Sequence, residues 1–220
     1  MKKRALRKDF YMEIRKSLGR FLSIFFIVAM GVAFFSGIRA SEPDLRYSGD
    51  AYFDRNHLMD LKVMGTLGLT ENDVQAIRSL EGVAQAEPGY SADVMVERDG
   101  NQKVLHVSSI LDSMNQYTVE EGRMPKKDGE CLIDQDFIQG SGLKVGDEIT
   151  LISGTKDPVT DTFTKETFRI VGAGSSPEYI SFHRGSSMIG NGEVSGFLAV
   201  PKESFVTEAY TECYVSVEGA

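Results

Sequence analysis

The sequence predicts an α+β protein in which an amphipathic helix and a transmembrane helix precede a two-part domain outside the cytoplasm. Three observations lead to this fold class. Residues 21–38 form an apolar run without a charge, the net charge changes sign across that run, and the rest of the chain mixes one helical pattern with many short strand patterns. Short strands separated by Gly turns indicate a β-rich domain that also holds a β-α-β unit.

The apolar run FLSIFFIVAMGVAFFSGI is eighteen residues long and lies between Arg20 and Arg39. As an α-helix it spans roughly 27 Å, close to the hydrocarbon thickness of a bilayer. It lacks the polar stripe of a soluble core helix. The run therefore predicts a transmembrane helix over residues 21–40.

A cleaved signal peptide is the competing interpretation of this N-terminus. Signal peptides have a shorter apolar region and a short basic region, whereas the basic region here is twenty residues long. Ile38-Arg39-Ala40 is a poor cleavage site because its first residue is bulky. These features favour an uncleaved anchor.

The charge on the two sides of the run predicts its orientation. Residues 1–20 carry eight Lys or Arg and two acidic residues, a net charge of +6. From residue 40 onward, fifteen basic and thirty acidic residues give −15. Because basic residues near a span stay inside the cell, we expect a cytoplasmic N-terminus and residues 41–220 outside the plasma membrane.

Residues 1–20 also show a helical period. Leu6, Phe10, Ile14 and Leu18 recur every fourth residue, and the basic residues fall largely on other faces. This pattern predicts a cytoplasmic amphipathic helix that lies at the membrane surface and contacts the lipid bilayer. The alternative is a disordered basic tail that only sets the orientation.

Small residues mark one face of the predicted span. Ala29, Ala33 and Gly37 are four residues apart, so they share a face on which another helix can approach closely. The alternative is that small residues simply reflect membrane-helix composition. The face predicts packing against further spans of the same protein or against another subunit.

The outer part begins with a predicted linker over 41–57, because that stretch is polar and contains Pro43 and Gly49. A β-α-β unit follows, with a strand at 61–64, a helix from Thr70 to Gly82 and an extended segment after it. Thr70 and Asp73 form a near capping box at the helix start. Asp99-Gly100 is a hairpin signal that ends this part, assigned to 41–118.

The second part, assigned to 119–220, has the pattern of a β-rich subdomain with a return strand. A short helix or turn is predicted at 134–140. Strands are predicted at 130–133, 148–152, 168–172, 196–200 and 212–217.

Motifs for catalysis are missing from the sequence. It has no GxxxxGK[ST] loop, no G-x-S-x-G and no H-E-x-x-H. Gly172-Ala-Gly174 lacks the third Gly of a dinucleotide loop, and the spacing after Asp134 does not fit a calcium loop. His57, His106 and His183 are isolated in the sequence, which favours surface or loop positions. We therefore predict no catalytic, cofactor or metal site, no enzyme activity and no nucleic-acid partner.

Cys131 and Cys213 both lie in predicted strands. Two cysteines outside the cytoplasm permit one disulfide, and the alternative is two buried thiols in a core that needs no crosslink.

Several stretches, in this order after the basic helix and span, resemble FtsX-like/MacB-like ABC transporter permeases of the Gram-positive type. The resemblance covers nearly the whole chain, and its individual motifs are turn glycines and strand residues. The stretches are VEEGRMP at 119–125, GECLID at 129–134, LKVGDEI at 143–149, FRIVG at 168–172, SPEYI at 176–180 and RGSSMIGNG at 184–192.

The resemblance implies a MacB-like periplasmic core domain, in which a β-rich insert interrupts a β-α-β layer. It also implies a permease subunit that pairs with a second permease and works with a cytoplasmic ABC ATPase subunit. ATP hydrolysis would move the outer domain, exporting or acting on an envelope substrate, peptide or lipid. Later spans of such a permease are missing from these 220 residues, so we expect an N-terminal fragment.

Two other functions compete with this one. A single-span anchored protein whose outer domain binds a ligand or wall component is the main alternative, and a membrane-anchored hydrolase is the weaker one. The hydrolase requires a nucleophile or metal constellation that the sequence does not show.

Overall fold

The computed structural model describes residues 2–98 and 100–219, and the side chains from residue 6 onward. The chain divides into two compact units, residues 1–51 and 52–220. The first unit holds two helices, α1 (Lys2–Lys16) and most of α2 (Leu18–Arg55). Ser17 separates them, although its backbone N–H still bonds the Glu13 carbonyl at 3.1 Å. The helix predicted over 1–20 therefore ends at Lys16, and Leu18 belongs to α2.

The predicted linker at 41–57 is wrong, because α2 continues through Pro43 and Gly49 to Arg55. Proline removes one backbone hydrogen bond from a helix, and a glycine weakens it by about 1 kcal/mol. Neither loss ends this helix. Ser41 Oγ bonds the Gly37 carbonyl at 2.9 Å, and Arg46 pairs with Glu42 at 3.2 Å across one turn.

The second unit contains a small antiparallel sheet built from strands distant in sequence. Its order is β1 (Leu61–Leu69), β10 (Tyr210–Val217), β2 (Val83–Gly89), so the last strand pairs with both of the first two. Helix α3 (Glu71–Arg78) lies between β1 and β2 in sequence. The predicted strand–helix–strand order is confirmed.

The helix start is also confirmed, with a full capping box between Thr70 and Asp73. The predicted helix end at Gly82 is wrong. Helix α3 stops at Arg78, and the Ser79 hydroxyl donates to the Ala76 carbonyl at 2.7 Å. A serine side chain that bonds the preceding turn competes with further helix.

The larger sheet has seven strands in the order β3-β4-β9-β6-β8-β5, with β7 also pairing with β8. Its pairing is mixed, because β4 runs parallel to β9 and β6 parallel to β8. Its strands are β3 (Ser91–Arg98), β4 (Asn101–Ser109), β5 (Thr118–Gly122), β6 (Glu130–Asp134), β7 (Glu148–Thr150), β8 (Thr167–Ser175) and β9 (Val194–Val200).

Most local predictions for this region are confirmed. Helix α4 (Gln135–Ser141) lies where the short helix or turn was predicted. Strands occur in all five predicted stretches. Strands β3 and β4 pair antiparallel on either side of the predicted hairpin, whose Asp99 lies outside the described residues.

The main hydrophobic core lies on the larger sheet. It is formed by strand residues such as Leu105, Ile133, Phe168 and Leu198, which are fully buried, and is closed by Phe137 and Ile138 of α4. A second, smaller core lies under α3, where Val74 packs with Cys213 and Val215.

Substitution of Gly174 is expected to destabilise the larger sheet. A Cβ at this β8 position would collide with the backbone carbonyl oxygen of Thr118 on β5. Backbone cannot rotate away as a side chain does, so we expect Gly174→Ala to cost about 3 kcal/mol of unfolding free energy. Chemical denaturation of the purified chain, followed by near-ultraviolet circular dichroism, measures this. Gly140→Ala is the control, because nothing lies within 4 Å of its new Cβ, and equal effects would contradict the explanation.

The carboxylate of Glu130 gives the larger sheet a pH-dependent contact. Arg123 donates two hydrogen bonds to it, at 2.7 and 2.8 Å, and the Lys126 N–H donates a third. These donors lower the pKa of Glu130 to about 2.

Because this pKa is lowered in the folded state, the contact stabilises above the unfolded pKa and is lost as pH falls toward 2. We expect Glu130→Gln to lower the melting temperature at pH 7 and to have a shrinking effect between pH 4.5 and pH 2. Melting curves of both proteins over this range measure it. A difference that stays constant with pH would contradict the prediction.

Candidate functional site: the end of the long helix and the polar contacts between the sheets

The end of α2 is held by hydrogen bonds to the backbone carbonyls of its last turn. The Leu58 N–H donates to the Phe53 carbonyl at 3.1 Å, and the Asn56 amide Nδ2 donates to the Tyr52 carbonyl at 2.8 Å. His57 adopts a φ of 48°, in the left-handed region. A left-handed residue just past a helix end is a common C-terminal cap, although glycine usually occupies it.

Residues 115–118, which are distant in sequence, bind this helix end. We call residues 56–59 and 115–118 the junction. The Asn115 and Gln116 N–H groups donate to the carbonyls of His57 and Asn56, both at 2.8 Å. The Asn115 side-chain oxygen accepts from the Met59 N–H at 2.9 Å. Asn56 and Asn115 are 6% and 3% exposed. The junction therefore fixes the helix end to the domain by buried hydrogen bonds.

Asn115 is the central residue of the junction for a conformational reason as well. Its φ is 47°, and together with His57 it is one of two non-glycine residues with positive φ in the described chain. Asparagine tolerates this region better than most residues because its side chain bonds local backbone groups.

The junction continues into a network that we call the Lys62 cluster, formed by Lys62, Glu178, Glu212 and Tyr214. The Asn115 Nδ2 donates to Glu178 at 3.1 Å, and Lys62 of β1 pairs with Glu178 at 3.0 Å and with Glu212 of β10 at 3.3 Å. Tyr214 donates its hydroxyl proton to Glu212. Lys62 thus connects the small sheet with the segment that follows β8.

Burial and pairing oppose each other in this cluster. Burial by itself lowers the pKa of Lys62, but Glu178 and Glu212 outweigh it and the pKa is raised. For Glu212 burial raises the pKa, and the charge of Lys62 and the other contacts bring it below its usual value. Desolvation and the neighbouring Glu212 raise the pKa of Tyr214, which stays a neutral donor. The raised pKa of Lys62 and the lowered pKa of Glu212 both favour the charged forms of this pair.

A second connection between the sheets is centred on Glu87 of β2, which is 6% exposed. Its carboxylate accepts from the Asp112 N–H at 2.5 Å and from the Ser113 hydroxyl at 2.7 Å. Lys202, after β9, pairs with it at 3.0 Å. Burial tends to raise the pKa of Glu87, but the hydrogen bonds from Ser113, Asp112 and Lys202 give a net lowering. The small sheet is therefore bound to the larger one at two separate charged sites.

His106 and Ser187 both bond Asp93, and this arrangement does not activate a nucleophile. The His106 Nδ1 lies 2.7 Å from Asp93 Oδ1, and the Ser187 hydroxyl donates to Asp93 Oδ2 at 2.6 Å. A catalytic serine bonds the imidazole that removes its proton, whereas here the carboxylate lies between the two groups. His106 is half-buried and paired with Asp93, so its predicted surface position is wrong. His57 and His183 are exposed, as predicted.

The described residues contain no group of three or more His, Cys, Asp or Glu side chains arranged to hold a metal ion. Cys131 of β6 and Cys213 of β10 are free and buried. The disulfide alternative is therefore wrong, and the two thiols are core residues. Burial raises the pKa of the Cys131 thiol.

The residues predicted to act at the membrane all lie on the two N-terminal helices. Leu6, Phe10 and Ile14 are on α1, whereas Leu18 is the first residue of α2. The positions of the small-residue face, Ala29, Ala33 and Gly37, are on α2. Their contacts with lipid or with other helices stay predictions.

The sequence did not reveal the junction. Asn56-His57 is a weak helix-end signal, and the polar residues before it suggested a loop. Asn115 and Glu178 are 59 and 122 positions from Asn56, so no local pattern connects them with it.

These features define a class of protein. Helix α2 is the one helix in the described part of the chain that is long and apolar enough to cross a membrane, and it continues into an α+β domain. The chain therefore belongs to the class of proteins that combine one candidate membrane-spanning helix with an α+β domain.

Comparison with known proteins then gives the family. The family model of the MacB-like periplasmic core domain matches residues 18–219, so the chain belongs to that family. Membership of this family supports an extracytoplasmic domain of the kind found in MacB/FtsX-like ABC transporter permeases. No curated protein matches the sequence.

Two solved structures illustrate the similarity. The extracellular domain of the noncanonic ABC-type transporter YknZ from Gram-positive bacteria is 14% identical, with 71% of this chain and 76% of that chain covered and a TM-score of 0.45. The periplasmic region of MacB from Actinobacillus actinomycetemcomitans is 11% identical, with 71% and 67% covered and a TM-score of 0.41.

Proposed function

We propose that this chain is the N-terminal part of a permease subunit whose outer domain moves in response to ATP hydrolysis in the cytoplasm. The N-terminus lies in the cytoplasm and residues 41–220 lie outside the plasma membrane. The movement exports, or transmits force to, an envelope substrate, a peptide or a lipid. A cytoplasmic ABC ATPase subunit drives it, and a second permease or further spans of the same protein complete the membrane part.

The observation that best supports the proposal is that α2 continues as a helix to Arg55, where a linker was expected, and that the junction follows it directly within the second unit. Helices and packed interfaces move as units, so a shift of one element can reposition its neighbours. Asn115 of the junction donates a hydrogen bond to Glu178, and Glu178 pairs with Lys62 of β1. These contacts connect the junction with the small sheet.

Purification of the membrane protein that contains this chain tests the proposal. An epitope-tagged protein, extracted from native membranes in mild detergent, is expected to bring with it an ATPase that carries a Walker motif. A protein that purifies repeatedly without an ATPase would contradict the proposal and favour the anchored ligand- or wall-binding alternative.

Coupling is expected to depend on the small-residue face of the span. A leucine at Ala33 holds neighbouring helices apart, so we expect Ala33→Leu to weaken assembly with the partner spans about tenfold. Co-purification of a second, differently tagged copy and of the ATPase measures this effect. Gly31→Leu is the control, because it places the same leucine side chain on the opposite side of α2. If Ala33→Leu assembled like the control, the role of the face would be wrong.

The division of the outer part into 41–118 and 119–220 stays a proposal. Sheet pairing groups β3 and β4 with the strands that follow residue 118. Limited proteolysis with mass spectrometry locates the segments that separate as units, and a stable fragment beginning near residue 119 would support the division.

A further inference from the structure

A cavity of about 480 Å³ lies in the second unit, beside Lys62 of β1 and the segment that follows β8. Cavities that bind small organic molecules have this size and combine apolar walls with a few polar groups. This cavity has both kinds of lining, and its apolar wall includes Phe53, Leu58, Met59 and Ile180. The polar part of the lining decides which ligand the cavity fits.

His106 contributes a hydrogen-bond acceptor to this lining. Its Nδ1 lies 2.7 Å from Asp93 Oδ1, and the Ser187 hydroxyl donates to Asp93 Oδ2. Burial tends to raise the pKa of Asp93, but the hydrogen bonds from His106 and Ser187 bring it below its usual value. An ionised carboxylate only accepts, so Nδ1 carries the proton of the neutral imidazole and Nε2 keeps a lone pair. No group of the described residues bonds Nε2.

Tyr179 contributes a hydroxyl that also lacks a hydrogen-bond partner among the described residues. Its ring stacks on Phe197, with 5.5 Å between the ring centres, and lies 5.8 Å from the Arg184 guanidinium. Burial raises the pKa of Tyr179, and the charges of Glu178 and Asp93 raise it further. The hydroxyl is therefore neutral, held in place by its ring, and close to carboxylates.

Carboxylates outnumber cations around the cavity. The two cations of the lining, Lys62 and Arg184, are each paired with two carboxylates, and Asp93 is a fifth. With His106 neutral, five carboxylates and two cations give a net charge of −3. A cavity that is shielded from water and surrounded by this excess favours a cation and repels an anion. The four paired carboxylates are Glu178, Glu212, Asp134 and Asp136.

We propose that this cavity binds an organic amine in its ammonium form, with the apolar body of the amine against Phe53 and Ile180. The ammonium donates hydrogen bonds to His106 Nε2 and to the remaining lone pairs of the Glu178 carboxylate, and the Tyr179 hydroxyl is a further acceptor. The site requires neither an ATPase nor a moving domain, so the inference goes beyond the proposed function and does not depend on it.

Calorimetric titration of the full chain in detergent with three probes of similar shape tests the charge of the ligand. At about pH 8 alkylamines are charged and imidazoles are ordinarily neutral. We expect phenethylamine to bind with a Kd of about 1 mM, about tenfold more tightly than the neutral 2-phenylethanol, and the anion phenylacetate to bind most weakly. Equal affinities for the three probes, tightest binding of phenylacetate, or no binding of phenethylamine up to about 20 mM overturns the proposal.

The same titration separates the two sources of such an amine, a free small molecule and the N-terminus of a peptide. Phenylalanyl-alanine amide carries the ammonium and the aromatic ring on a peptide backbone, and its N-acetyl form lacks the ammonium. Tighter binding of this peptide than of phenethylamine assigns the site to peptide N-termini, and the reverse order assigns it to free amines. An acetylated peptide that binds as tightly as the free peptide contradicts recognition of the ammonium.

His106→Asn tests the proposed acceptor. The asparagine amide still donates to Asp93 but places no acceptor at the position of Nε2, so we expect the affinity for phenethylamine to fall about tenfold. His183→Asn is the matched control, because His183 is exposed and lies outside the lining. Equal affinities of the two variants overturn the proposal.

Tyr179→Phe is the second variant, used if His106→Asn lowers the melting temperature. It keeps the stacked ring and removes only the hydroxyl, so the affinity for phenethylamine is expected to fall about threefold. An unchanged affinity would count against the proposed site.

These results are separable from those that test the permease function. A chain that prefers phenethylamine but purifies without an ATPase keeps this site and loses the proposed permease function. A chain that purifies with the ATPase and shows no preference for the amine loses the site and keeps the permease function.

Discussion

Lys62→Met is expected to lower the free energy of unfolding by about 2–4 kcal/mol, because it leaves Glu178 and Glu212 buried without their shared cation. Both carboxylates lie within 3.3 Å of the Lys62 ammonium, and their side chains are 14% and 6% exposed. Methionine keeps most of the apolar body of lysine and removes the ammonium group, so the loss reports chiefly the charge. Lys62 keeps a quarter of its side chain in solvent, which places the effect below that of a fully buried pair.

Denaturant unfolding of the purified chain measures this loss. Lys103→Met is the control on an exposed part of β4 and is expected to change stability by less than about 0.5 kcal/mol. The triple variant Lys62→Met, Glu178→Gln, Glu212→Gln also removes the two unpaired carboxylate charges. It is expected to recover part of the lost free energy of unfolding. An effect of Lys62→Met no larger than that of the control would show that the cluster does not hold the two sheets together.

Asn115→Ala is expected to cost about 2–4 kcal/mol, because three effects coincide at this residue. The substitution removes the acceptor for the Met59 N–H and the donor to Glu178. It also places alanine at a φ of 47°. Because these bonds hold the end of α2, the proposed function predicts that this variant also reduces the proposed movement of the outer domain while hydrolysis by the proposed ATPase partner continues.

Two further variants separate these effects. Asn115→Gly removes the same hydrogen bonds but tolerates the backbone angle, so it should be less destabilising than Asn115→Ala by about 1 kcal/mol. His57→Gly relieves the other left-handed residue and is expected to stabilise the chain by several tenths of a kcal/mol up to about 1 kcal/mol. Melting temperatures of the three proteins measure these differences. An Asn115→Ala protein as stable as the native chain would contradict the structural role of the junction.

The elements that the sequence predicted correctly depend on local patterns. Thr70 and Asp73 form their capping box within four residues, and the strand at 130–133 is a short buried run whose limits turn residues mark. The α+β class, the membrane helix and the family follow from signals of this kind.

The arrangement of the sheets depends on contacts between distant residues. Strand β10 pairs with β1 and β2 although about 120 residues or more separate it from them, and no local pattern indicates that. The same is true of the Lys62 cluster, which joins residues 62, 178 and 212. The continuation of α2 to Arg55 was not predicted because local signals pointed to the wrong structure. Pro43 and Gly49 are strong local breakers, but a helix can tolerate each of them singly.

The membrane is expected to separate the basic N-terminus from the acidic domain. Labelling of intact cells with a membrane-impermeant thiol reagent tests it directly, using Lys8→Cys and Lys103→Cys in the full chain. Both positions are exposed, and the native Cys131 and Cys213 are buried. We expect labelling at position 103 in intact cells and at position 8 only after permeabilisation. Labelling at position 8 with protection at position 103 would contradict the account.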